Sequence, residues 1–211
     1  NDSIMKKLLI LLFSLFFFSS QSVFADDISD FEIEGISIGD SLLDYMTEDE
    51  ILEEIERTKD FSNHLNEPNK YAEVYLDIES ENYDYLGFII KNNSQNNYIT
   101  NKNDEYTIRS IRGIKRYIEE FNSCIAQRNK VGVILSKMFP NIDSIKDIQK
   151  FVGDPSGNSL MDEIFFELDN EYWVRVWCSN YDETYRIKMG WSEGLTVMIM
   201  SPEINEWLSD L

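Results

Sequence analysis

Four groups of residues in this 211-residue chain could do chemistry, and each needs a particular setting. Ser41 lies in Gly39-Asp40-Ser41-Leu42, and Ser37 lies in Gly35-Ile36-Ser37-Ile38-Gly39. A serine hydroxyl attacks an ester only when a nearby base takes its proton and donors stabilise the oxyanion. The single histidine, His64, sits early in the chain in a polar stretch around Pro68. Cys124 and Cys178 are the only cysteines. With no C-x-x-C and one histidine, they offer neither a redox pair nor a zinc site. Glu48-Asp49-Glu50 are adjacent acids, but consecutive helical residues fan out around the axis instead of converging on an ion. Gly153-Asp154-Pro155-Ser156-Gly157-Asn158 lacks the spacing and final Glu of a calcium loop. No catalytic residue, metal ligand or cofactor is assigned. The last group is Trp173, Arg175 and Trp177: on an open sheet face they are an aromatic and guanidinium set of the kind that anchors partners, and under a covering helix, the favoured reading, they are core with Arg175 at a rim.

The elements that must position these groups follow from periodicity. Residues 171–181, EYWVRVWCSNY, alternate with period two and read as a strand. Tyr172, Val174, Val176 and Cys178 form its inner face. Trp173, Arg175 and Trp177 share the other. Residues 114–139 read as a long helix. Ile114, Tyr117, Ile118, Phe121, Cys124, Ile125, Ile134, Leu135 and Met138 recur mostly at three- and four-residue steps, and Pro140 stops the pattern. Cys124 on that helix and Cys178 on the adjoining strand are placed to meet.

Elsewhere, residues 31–38 read as a strand, with Asp40 capping a short helix over 41–46. Thr47-Glu48-Asp49-Glu50 is a capping box opening a helix over 48–57. Residues 71–78, 83–91 and 105–111 read as strands, the first two a hairpin. Residues 142–152 read as a short helix, 160–168 and 171–181 as a second hairpin, and 195–200 as a last strand. Residues 185–191 fit no single template. Pro202 starts a terminal helix. The expected fold is α+β, an antiparallel sheet with helices packed on one face. Its order suggests a diverged duplication of a helix-plus-three-strand unit.

The N-terminus sets the compartment. After Asn1–Ile4, Met5 begins MKKLLILLFSLFFFSSQSVFA: a basic start at Lys6 and Lys7, an apolar run over 8–18, and a small-residue cleavage site between Ala25 and Asp26. Residues 1–25 are therefore the signal peptide with its preceding residues, and 26–211 form a single domain. The expected location is periplasmic or secreted, with no stable membrane insertion after cleavage. Such a compartment favours a Cys124–Cys178 bridge. Thirty-nine acids against 19 bases give a net charge of −20, which argues against nucleic acid and anionic membranes. The expected partner is an unknown protein or a small ligand.

Two resemblances bear on function. The Gly39–Leu42 block resembles the first block of the GDSL (SGNH) ester hydrolases, which implies Ser41 as nucleophile. That family's base is a histidine in a late Asp-x-x-His block. Here Phe61 stands three residues before His64, and Asn101-Lys102-Asn103-Asp104 lacks the glycine of the family's Gly-x-Asn-Asp block. The start DFEIEGISIGDSLLDYM also resembles an uncharacterised set of small secreted proteins from marine bacteria. That resemblance implies export and the helix-to-strand disulfide, and no catalytic residue. The sequence points to a non-catalytic binding or interaction module, with an ester hydrolase using Ser41 as the alternative.

Overall fold

The computed structural model describes residues 28, 31–60, 70–91 and 106–209. The expected signal sequence with its cleavage point at Ala25 and Asp26, together with His64 and Asn101–Asp104, lies outside these residues.

Alternation of apolar and polar side chains builds seven strands: β1 (Tyr71–Asp77), β2 (Tyr85–Lys91), β3 (Ile108–Arg116), β4 (Ser144–Lys150), β5 (Leu160–Glu167), β6 (Trp173–Asn180) and β7 (Gly194–Met200). Among the described residues four α-helices accompany them: α1 (Glu48–Thr58), α2 (Phe121–Met138), α3 (Glu183–Met189) and α4 (Pro202–Ser209). Every strand pair is antiparallel, and all seven join one sheet in the order β1-β2-β3-β7-β6-β5-β4. The class is α+β. β1–β3 and β4–β6 are meanders, each following a helix, and β7 sits between β3 and β6.

Register sorts the side chains. Val74, Phe88, Ile111, Ile199, Val174 and Phe166 lie opposite one another across six strands, and all are buried. This face carries the main core. α2 lays Cys124, Arg128, Gly132 and Leu135 into it, and α1 contributes Ile51. Gly132 permits the close approach, since a Cβ there would come within 2.6 Å of Ile164 Cδ1. Cys124 and Cys178 form a disulfide with Cα atoms 5.9 Å apart, joining α2 to β6. Beside it Arg128, itself buried, pairs with Asp162 of β5. α4 docks on the opposite face, where Ile204 and Trp207 pack with Tyr71, Met198 and Met200.

Several expected elements differ. Residues 31–38 form a tight turn instead of a strand. Ile33 bridges Ile36, with Glu34 and Gly35 at φ of 54° and 78°. The short helix is a 3-10 turn over Leu42–Asp44 capped by Ser41, whose hydroxyl accepts from the Leu43 amide at 3.3 Å. Asp40 is engaged elsewhere, accepting from the Ser37 amide and the Tyr45 hydroxyl, both at 2.9 Å. The long helix starts at Phe121. Ile114 belongs to β3, while Ile118 and Ile134 are exposed. β3 runs on because Ile114–Arg116 have a ready partner in Gly194–Thr196 of β7. Residues 144–150 form β4, not a helix. The three-residue step from Ile145 to Ile148 imitates a helical period, but here it puts the two side chains on opposite sides of an edge strand. The capping box at Thr47 and Glu50 is present, and 183–189 is helical.

Candidate functional site

The sheet face opposite the disulfide carries the chemistry. Its central row holds one residue from each strand: Tyr75, Gly87, Arg112, Met198, Arg175, Phe165 and Ile145. Strands lie about 4.8 Å apart, so the two arginines stand roughly 10 Å apart with Met198 between them. Trp173 and Trp177 flank Arg175 on the same strand, and all three are half-buried. The predicted set Trp173, Arg175 and Trp177 therefore shares one face, away from Cys178.

Each guanidinium has its own carboxylate. Arg175 donates through Nε to Glu163 Oε2 at 3.0 Å and pairs with it again through Nη2. Glu163 is buried and also accepts from Gln149 Nε2 at 2.9 Å. Arg175 lies over the Trp177 ring, 5.5 Å from its centroid. Arg112 reaches across Gly87 to β1, where it pairs with Glu73 and donates to the Tyr75 hydroxyl. The missing side chain makes this possible, because a Cβ on Gly87 would stand 2.7 Å from Arg112 Nε. Burial pulls the Arg112 pKa down to about 10, which leaves it a cation at neutral pH. Burial also pushes the Tyr75 and Tyr181 hydroxyls up, so both stay protonated.

Aromatic rings and α4 border this band. Trp173 stacks on Phe165 at 5.6 Å between centroids. Phe151, Tyr181 and Trp191 form a mutual cluster with centroids 5.0–5.3 Å apart. At the other border Glu203 of α4 accepts from the Tyr71 hydroxyl at 2.7 Å. Lys70, Lys91 and Arg109 surround that carboxylate at 3.7, 3.8 and 3.4 Å. Burial opposes its ionisation, but the Tyr71 hydrogen bond and these cations prevail and lower its pKa.

No protein-family model, curated protein or solved structure matches this chain.

The serine motifs occupy a different region. Residues 39–42 run beside the start of β3, with Gly39 N donating to Ile108 O at 2.9 Å and Leu42 N to Tyr106 O at 3.1 Å. The Ser41 hydroxyl caps the following 3-10 turn, and among the described residues no base hydrogen-bonds to it. Among the described residues the Ser37 hydroxyl reaches only the Phe31 carbonyl, at 3.5 Å. An open cleft of about 370 Å³ lies between α1 and β1, lined by Tyr45, Glu50, Glu53, Glu54, Tyr75 and Asp77 among others. Its acids do not converge, and no metal-binding cluster occurs among the described residues.

Two ion pairs place donors and acceptors side by side on a rigid sheet, flanked by flat apolar rings. Such surfaces hold a partner by ring contact and hydrogen bonding. Sequence reasoning found the β6 part of the band and missed Glu73, Arg112 and Glu163. Arg112 lies just past the end of the strand expected over 105–111, in a stretch that the fold adds to β3. The alternating segment Ile108-Arg109-Ser110-Ile111-Arg112-Gly113-Ile114 carried the missed signal.

Proposed function

We propose that this protein is an exported, non-catalytic binding module of the bacterial periplasm or surroundings. It engages a protein or small ligand through the face bearing Trp173, Arg175 and Trp177. The observation that carries this reading is the half-exposed arginine and aromatic band on a sheet face that α4 covers only at one end. Export is supported by the leader-like residues 5–25 and by the disulfide, which persists in oxidising compartments. No helix among the described residues is long and apolar enough to cross a membrane.

Affinity capture from an envelope extract tests the reading, with wild type set against Trp177→Ala and Arg175→Ala. A partner held by wild type should be lost at least tenfold by the Trp177 variant, because ring anchors carry most of an interface's energy. Equal retention by both variants refutes the assignment of the face. N-terminal sequencing of native material should begin at Asp26, and an intact leader refutes cleavage. Turnover of a short-chain aryl ester that vanishes in Ser41→Ala would replace the binding reading with a hydrolase.

A further inference from the structure

The sheet has two edges, and they are treated differently. On β1 the outward backbone is occupied by α1. Glu54 Oε2 accepts from the Tyr75 amide at 3.2 Å, and the Thr58 hydroxyl donates to the Glu73 carbonyl at 2.6 Å. These side chains close the edge against another strand. On β4 nothing comparable occurs among the described residues. All seven of its residues are exposed, Ile145 by 52% and Ile148 by 68%, and β5 is its only strand partner.

The phase of the open edge can be read. Phe151 N donates to Ser159 O at 2.9 Å, continuing the β4–β5 register by one residue. Inward and outward backbone groups alternate along an antiparallel strand. Lys146, Ile148 and Lys150 therefore turn their N–H and C=O groups away from β5. Their side chains share one face, that of Cys178, since Ile148 lies opposite Asp162 and Asp162 opposite Cys178. Although the chain has 39 acids, neither Lys146 nor Lys150 forms an ion pair with a described residue.

We infer that β4 is a docking strand for an extended segment of another protein, whose carboxylates at two positions four residues apart flank an apolar residue. Strand addition supplies the backbone hydrogen bonds, and alternate side chains supply the selectivity. The carboxylates pair with Lys146 and Lys150, and the apolar residue covers Ile148. With a Debye length of about 8 Å at physiological salt, charge elsewhere on the chain is largely screened at this edge, and on the face shared with Ile148 the strand's own charges are the two ammoniums. A second copy of the chain fits poorly. Full antiparallel pairing of β4 with itself sets Asp147 against Asp147, and like charges directly opposite repel.

A displayed library of random heptapeptides selected on the whole protein tests this inference. Recovered peptides should carry Glu or Asp at two positions four apart with an apolar residue between. By fluorescence anisotropy, Ile148→Pro should weaken the best peptide at least tenfold. That substitution removes an outward N–H and takes no hydrogen bond from β5, the setting in which an edge strand accepts proline. The pair Lys146→Glu with Lys150→Glu should weaken the same peptide comparably, and should select Lys or Arg at the two positions. The double lysine variant decides the matter if Ile148→Pro does not fold. Failure to recover binders, binders without the acidic pattern, or binders indifferent to the lysine reversal each overturn the inference. So does a wild-type dimer in sedimentation that Ile148→Pro dissociates, which would make the occupant a second copy.

Discussion

Removing the Cys124–Cys178 bridge by a double alanine substitution gives the sharpest quantitative test of the fold. The bridge spans a sequence separation of 54. In the chain-entropy picture, releasing a loop of that length frees the unfolded chain by about 4 kcal/mol. Both sulfurs are fully buried, so their loss also removes packing, on the order of 1 kcal/mol. For a domain of this size each kcal/mol lowers the melting temperature by about 2–4 °C, so the total drop is roughly 10–20 °C. Thermal unfolding followed by circular dichroism measures it, with wild type in reductant as a second route to the open form. Near-ultraviolet spectra below the transition should stay close to wild type, because most of the effect acts on the unfolded chain. A drop under about 3 °C would refute the argument that this crosslink holds α2 to the sheet against a large unfolded-state entropy.

Three further outcomes are expected. Arg175→Met leaves the buried Glu163 carboxylate without its cation and should cost about 3 kcal/mol in urea unfolding, and adding Glu163→Gln should restore part of that loss. Burial pushes the Asp154 carboxyl up, but hydrogen bonds from the hydroxyls and amides of Ser159 and Ser156 outweigh it and hold the pKa down at about 2. A lowered folded pKa stabilises above the unfolded value of about 3.9 and is lost as pH falls towards 2, so Asp154→Asn should flatten the decline in melting temperature between pH 4 and pH 2. Gly194 has φ +158°, and a Cβ there would collide with the Lys115 carbonyl oxygen, so Gly194→Ala should destabilise by at least about 3 kcal/mol in urea unfolding.

Much of this fold was legible because most strands obey period two and most boundaries carry turn chemistry. The β1–β2 and β5–β6 hairpins, the capping box at Thr47 and the proline start of α4 all follow from local rules. The misses share a cause, which is that the deciding partner lies far away in sequence. Residues 114–116 look helical in isolation, yet β7 extends β3 through them. Ile145 and Ile148 imitate a helical stripe because an exposed edge strand has no buried face to enforce alternation. Ser41 rather than Asp40 caps its turn because Asp40 is already committed to Ser37 and Tyr45. In the candidate site, Trp173, Arg175 and Trp177 were visible as one side of a single strand. Glu73 and Arg112 were not, since their meeting depends on Gly87 lying between them in the folded sheet.

The position of β7 fixes the order in which the sheet can be completed. β7 is the strand through which the two meanders join, since no strand of one pairs directly with a strand of the other. A nascent chain can pair each three-stranded half early, but the two halves share no strand pairing until residues 194–200 emerge and slot between them. A ribosome stalled or a protease cutting before Gly194 would leave two unclosed halves, each exposing the flank meant for β7. Joining the two halves into one sheet therefore waits on residues 194–200.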